Sequence, residues 1–162
     1  MIGSVLTVCT GNLCRSPMAM GLLGQTLQGV RVTSAGVHAQ NGTPVDPVAA
    51  HLLRECGIDL SGHRARCLDR AMLEGVDLIL VMEHVHQRHI EREFPTLRGK
   101  VHRLWRADDV PDPYGKGLVA YEEVMGLIAA SVGEWATRIN ALRGKLRSAA
   151  PDARPSGGAR EM

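Results

Sequence analysis

The chain has 162 residues, a formal charge of +2, four cysteines and only 3% aromatic residues. That length suits one domain with a sizeable core, and so mild a charge with so few rings argues against a nucleic-acid surface. No apolar run approaches the ~18 residues of a membrane helix and no signal peptide is visible, so a cytoplasmic protein without membrane insertion is expected, in which four cysteines serve catalysis, metal or packing rather than a disulfide scaffold.

Residues 4–9 form an apolar run, the first predicted strand, which stops at Cys9. Cys9-Thr10-Gly11-Asn12-Leu13-Cys14-Arg15-Ser16-Pro17 follows, with an arginine six positions after the cysteine. Pro17 is placed at the opening of a helix, where a missing N–H costs nothing, and Met18, Leu22, Leu23 and Leu27 carry the helical spacing to about Gln28. Val30–Ser34 reads as the second strand, ended by Gly36, and the turn signals Asn41-Gly42 and Pro44 mark a loop over 37–45. Asp46-Pro47 supplies an N-cap and a first-turn proline for a helix to about Cys56, stopped by Gly57. A short helix over about 67–74 precedes a third strand, Asp77–Met82. A helix over about 84–93 ends at Phe94-Pro95, and a fourth strand is Val101–Leu104. The loop 105–117 holds Asp108, Asp109 and Asp112 with two prolines and two glycines. A long last helix runs from about Val119 to Leu146, with Gly126 and Gly133 arguing against a straight rod. The domain is placed at 1–147, and 148–162, rich in Ala, Pro, Gly, Arg and Ser, is expected to be a disordered tail.

Alternating strands and helices predict an α/β fold, a parallel sheet with helices on both faces joined by right-handed crossovers. Ligands in such sheets sit beyond the carboxyl ends of the strands, and Cys9 ends the first strand there. A loop entering a helix N-terminus turns several backbone N–H groups toward one point, which suits an anion. Arg15 adds a planar two-donor clamp, and such a field favours the thiolate of a cysteine. A Walker-type loop is excluded because Gly-Lys-Ser/Thr is missing. Zinc is not expected, because no Cys-x-x-Cys has a matching partner pair. His84, His86 and His89 read as a solvated helix face, and no metal or cofactor is assigned. Cys56 and Cys67 read as packing residues.

Val-Cys-Thr-Gly-Asn-Leu-Cys-Arg-Ser-Pro resembles the signature of the low molecular weight protein tyrosine phosphatases. The resemblance continues through Thr33-Ser34-Ala35-Gly36, Asp46-Pro47, Gly62-His63-Arg64-Ala65-Arg66, 77–82 and Pro111-Asp112-Pro113-Tyr114, over about residues 1–145. It is nearest to the bacterial branch accompanying tyrosine kinases of exopolysaccharide export. It implies a four-stranded parallel sheet in the order 2-1-3-4. The function it implies is hydrolysis of phosphotyrosine through a phosphocysteine, and the implied partner is a phosphotyrosine protein, a tyrosine kinase with a tyrosine-rich tail. A monomer is favoured.

Cys9 is then the nucleophile, with Arg15 and the N–H groups of Thr10, Gly11, Asn12, Leu13, Cys14 and Ser16 around the phosphate. Asp112 is the general acid for the leaving phenolate, and then the base for hydrolysis; its ordinary alternative is an Asx turn before Pro113, with Asp108 and Asp109 as other acids. The resemblance implies a supporting network of Asn12, Ser16, Ser34 and His63, in which Ser16 donates to Cys9 and His63 orients Ser16. A helix cap for Ser16 and a core histidine for His63 are the alternatives. Leu13 and Tyr114 are assigned as pocket walls with Gln40 and His38 at the rim, Leu13 being alternatively a loop residue over the core. Related arginine phosphatases tend to carry threonine at the Leu13 position. Cys14 is either a resolving thiol for an oxidised Cys9 or a small apolar side chain. Two departures from the pattern stand out: Met20 where many members are acidic, and no aromatic residue in the loop after Gly36. The rival activities are a thiol-dependent arsenate reductase, against which residues 83–99 hold no cysteine, a protein arginine phosphatase, and a non-catalytic phosphate-binding module.

Overall fold

A computed structural model describes residues 1–149. The strands are β1 (Ser4–Cys9), β2 (Arg31–Gly36), β3 (Leu78–Val81) and β4 (Val101–Arg103). They form one parallel sheet in the order β2-β1-β3-β4, as expected. The helices are α1 (Arg15–Thr26), α2 (Pro47–Glu55), α3 (Arg70–Glu74), α4 (His84–Glu93) and α5 (Leu118–Ala149), with a 3₁₀ turn at Pro95–Lys100 that the sequence did not announce.

Side chains alternate across the central strands. Val5, Cys9, Leu78, Leu80 and Met82 face α1, α2 and α5, whereas Leu6, Val8, Ile79 and Val81 face α3 and α4. Burial on both faces is why these strands read as continuous apolar runs. Leu23 and Leu53 are fully buried in the larger layer, where truncation to Ala typically costs about 2–5 kcal/mol. Thr7, the one polar residue in the middle of β1, donates its hydroxyl to the Ser16 carbonyl at 2.8 Å and so ties the strand to the first turn of α1.

The boundaries move for local reasons. Helix α1 starts at Arg15, two residues before Pro17, because the first intrahelical bond is Met18 N–H to Cys14 O and the missing N–H of Pro17 still falls among the unpaired ones. Strand β2 runs on through Ala35 and Gly36, which pair with Val8 and Cys9. Asp69 caps α3 by accepting from Met72 N–H, so residues 67–69 lie outside that helix. Asp77 leaves β3 because its carboxylate accepts from the N–H groups of Gly3 and Ser4. Asp46 caps α2 through Val48 and Ala49 N–H, and Gly57 (φ +77°) ends it with Ile58 N–H on the Leu53 carbonyl, as the sequence suggests. Helix α5 is unbroken through Gly126 and Gly133 because its buried face, from Tyr121 to Ile139, packs into the core layer against α1 and α2. It also takes in Ser148 and Ala149, the first two residues of the expected tail; the expectation of disorder for 150–162 lies outside the described residues. Among the described residues no helix is long and apolar enough to cross a membrane.

Candidate active site

The loop between β1 and α1 is shaped by where its carbonyls go. Cys9 O accepts from Val37 N–H, Thr10 O from His38 N–H, and Leu13 O from Asp46 N–H, each at 2.9–3.0 Å. Asn12 O accepts from His63 Nε2 at 2.9 Å, and Cys14 O from Met18 N–H. In a trans peptide the N–H points opposite to the carbonyl, and no peptide bond among the described residues is cis. Drawing those five carbonyls outward therefore turns the N–H groups of Thr10, Gly11, Leu13, Cys14 and Arg15 to the other side. The exception is Asn12, whose N–H donates to Cys9 Sγ at 3.2 Å. That reversal needs Asn12 at φ +56°, the only described non-glycine residue with positive φ. Asparagine is among the residues best able to take that conformation.

Cys9 lies at the floor of this cup, 2% exposed, with Ser16 Oγ 2.9 Å from its sulfur. Asn12 Nδ2 donates to Ser16 Oγ and to Ser34 Oγ, both at 2.9 Å, and Asn12 Oδ1 accepts from Arg66 N–H. The network of Asn12, Ser16 and Ser34 thus forms around the sulfur. His63 joins it differently from the expectation: it donates to the Asn12 carbonyl and does not touch Ser16, which Asn12 orients instead. Burial lowers the His63 pKa, the hydrogen bond to the Asn12 carbonyl opposes it, and Arg66 and Arg64 add to the lowering.

Arg15 is 2% exposed. Its Nη1 donates to Glu83 Oε1 and to the Val110 carbonyl at 2.9 Å, and its Nη2 lies 3.8 Å from Asp112 Oδ2. Burial opposes its charge, but the Glu83 hydrogen bond, with Cys9 and Asp112, outweighs burial and raises the pKa. The Nε is buried with no protein partner among the described residues. The anchors thus occupy Nη1 and leave the Nε/Nη2 edge for an oxyanion, the two-donor geometry that suits phosphate.

The two oxygens of Asp112 have different surroundings. Oδ1 accepts from Tyr114 N–H at 3.1 Å, an Asx turn, while Oδ2 faces Arg15. The loop that carries it is pinned at its base: Trp135 Nε1 donates to the Leu104 carbonyl, and Val110 N–H to Met82 O. Asp109 is engaged elsewhere, accepting from His84 N–H and Nδ1 at 2.8 Å, and is not aimed at the cysteine. Cys9, Thr10, Gly11, Leu13, Cys14, Arg15, Asp112 and Tyr114 line one pocket of about 180 Å³.

Several assignments change. Gln40 is outside that lining; it is exposed, and its carbonyl closes a turn with Thr43. Cys56 and Cys67 are exposed rather than packed, Cys56 as the C-cap of α2 and Cys67 although its backbone pairs with Gly36 in an isolated parallel bridge. Cys14 is a buried member of the core layer as well as of the pocket wall; burial, with Cys9 and Asp112, pushes its thiol up to about 12. His84 is exposed, but His86 is 2% exposed and bonded to the loop, so the three histidines are not one solvated face.

Sequence reading missed Glu83, His86 and Gly36. Glu83 was findable: a carboxylate directly after a buried strand next to β1 falls beside the strand end that carries Cys9. His86 stands three residues after it, at the capping-box spacing but with an unusual residue type. Gly36 carries no local signal; a Cβ there would stand 2.5 Å from Thr10 O and 2.9 Å from Asn12 N.

Residues 4–145 match the family described as low molecular weight phosphotyrosine protein phosphatase. The probable low molecular weight protein-tyrosine-phosphatase EpsP of Ralstonia nicotianae is 45% identical over 144 residues, 88% of this chain and 99% of that protein. The tyrosine phosphatase Wzb from Escherichia coli K30, solved with sulphate, superposes with a TM-score of 0.82 at 34% identity, over 86% of this chain and 99% of the other. The YwlE arginine phosphatase from Geobacillus stearothermophilus gives 0.83 at 32% identity, over 88% and 96%.

Proposed function

The chain belongs to the low molecular weight phosphotyrosine protein phosphatases, and from that premise we propose that Cys9, Arg15 and Asp112 perform the hydrolysis of phosphotyrosine by this cysteine-dependent enzyme. The supporting observation is the cup: five loop N–H groups turned away from five anchored carbonyls, with a sulfur at its floor and an arginine edge left open.

Cys9 Sγ attacks phosphorus in line as the ester oxygen leaves. The loop N–H groups and Arg15 hold the equatorial oxygens, donors that are already oriented and need no reorganisation during the reaction. Asp112 gives its proton to the departing phenolate oxygen and later takes one from the water that attacks the phosphocysteine, a role typically worth about 10²–10⁴ in rate. Ser16, 2.9 Å from the sulfur, stabilises the thiolate as leaving group in the second step. Leu13 and Tyr114, the latter 63% exposed at the mouth, offer apolar surface on either side of the phosphate for an aromatic ring. Leucine at position 13 favours phosphotyrosine over phosphoarginine. Cys14 would act in redox protection only after losing a strongly held proton, which makes it a slow resolving thiol. The partner we propose is the phosphotyrosine tail of a bacterial tyrosine kinase of exopolysaccharide synthesis or export.

Cys9→Ser tests the chemistry. Turnover of p-nitrophenyl phosphate should vanish while phosphate still binds; near-wild-type turnover would end the proposal. Comparing phosphotyrosine with phosphoarginine peptides tests the substrate, with kcat/KM expected to favour phosphotyrosine.

A further inference from the structure

The carbonyls of the phosphate loop are held from the β2 side by Val37 and His38, from α2 by Asp46, and from the 63–66 segment by His63. The α4 side reaches the loop through side chains only. Glu83, the N-cap of α4, binds Arg15 at one end of the loop, and His86 binds Thr10 at the other. The two are tied together at the start of α4: the Glu83 backbone carbonyl accepts from His86 N–H at 3.1 Å, and His86 Nδ1 accepts from Glu83 N–H at 3.1 Å. A ring whose Nδ1 accepts must, when neutral, carry its proton on Nε2. His86 therefore donates to Thr10 Oγ1, 2.9 Å away, which has no other hydrogen bond among the described residues.

We propose that His86 is a positioning residue of the phosphatase site: as a buried Nε2–H donor in the first turn of α4, it clamps Thr10 and couples that end of the phosphate loop to the Glu83–Arg15 anchor at the other. The inference rests on the phosphatase reading of the pocket. Thr10 is the first residue after Cys9, and its N–H and that of Gly11 face the oxyanion side, so a shift of Thr10 moves two donors at once. The neutral state is consistent with the surroundings: burial lowers the His86 pKa to about 4, Arg15 and His38 add to this, and Glu83 and Asp109 oppose it.

A mutant cycle separates positioning from mere folding. His86→Asn keeps an acceptor for Glu83 N–H but is too short to reach Thr10. His86→Gln places a nitrogen near the Nε2 position. Thr10→Val removes the acceptor from the exposed side of the loop, where folding is least at risk. Vanadate affinity by calorimetry and kcat/KM on p-nitrophenyl phosphate are measured for each, with melting temperatures alongside. A single hydrogen bond predicts that His86→Asn and Thr10→Val each lose about three- to tenfold in both readouts. His86→Gln should recover most of the loss, and the double variant His86→Asn/Thr10→Val should be no worse than either single one. Multiplying losses, or a Thr10→Val or His86→Asn variant with wild-type vanadate affinity, overturns the proposal; if His86→Asn does not fold, Thr10→Val and His86→Gln decide it alone. A wild-type chain that binds vanadate but hydrolyses nothing would instead sink the phosphatase reading, and the binding cycle would still report the coupling.

Discussion

Gly36→Ala should damage the site without touching a reacting residue. The glycine ends β2, pairs with Cys9, and donates its N–H to Arg66 O at 2.9 Å. An added Cβ would lie 2.5 Å from the Thr10 carbonyl oxygen and 2.9 Å from the Asn12 nitrogen, both backbone atoms. Restoring ordinary contact requires a displacement of about 0.9 Å, and no flexible side chain can absorb it. The Thr10 carbonyl is itself held by His38 N–H, so the movement passes into the cup. Overpacking of this kind costs about 1–3 kcal/mol, or roughly 3–10 °C in melting temperature for a chain of this size. A displacement near 1 Å at a reacting centre can cost about 10²-fold in rate. The assay is kcat/KM on p-nitrophenyl phosphate and vanadate affinity, with Gly24→Ala as control because a Cβ there meets nothing within 4 Å on an exposed turn of α1. We expect kcat/KM to fall by about 10- to 100-fold in Gly36→Ala and not at all in the control. Wild-type kcat/KM and vanadate affinity in Gly36→Ala would refute the idea that the end of β2 sets the loop's position.

Asp112→Asn should slow aryl phosphates with poor leaving groups far more than p-nitrophenyl phosphate; equal losses across a leaving-group series would deny it the acid role. Stability should depend on pH through His86: its folded pKa of about 4 lies below the unfolded 6.5, so the unfolded chain binds more protons between these values. The stabilisation is complete above pH 6.5 and is lost as pH falls toward 4, by at most about 3 kcal/mol, and chemical denaturation across that window should show a flatter profile in His86→Gln. Asp46→Ala removes the acceptor for Val48 and Ala49 N–H and should cost about 1 kcal/mol in unfolding free energy, with Asp46→Asn near wild type.

The strands, the helices and a loop carrying Cys9 and Arg15 between the first of each were legible in the residues themselves, whereas the strand order and the part given to Asp112 came from the family resemblance. Apolar runs of strand length, capping residues such as Asp46 and Gly57, and a Cys-to-Arg loop followed by Pro17 act through neighbours in sequence, so their geometry is locally encoded. What the sequence could not show was which distant groups close the site. Glu83 meets Arg15 across 68 positions and His86 meets Thr10 across 76, contacts that exist only because β3 lies beside β1 in the sheet. His63 takes the Asn12 carbonyl rather than Ser16 because the 63–66 segment runs alongside the loop's outer face, and Gly36 matters because two backbones approach closer there than a methyl group allows. Local chemistry specified what each element would be; the sheet decided which residues from separate elements would share one buried volume, and burial gave those contacts their strength.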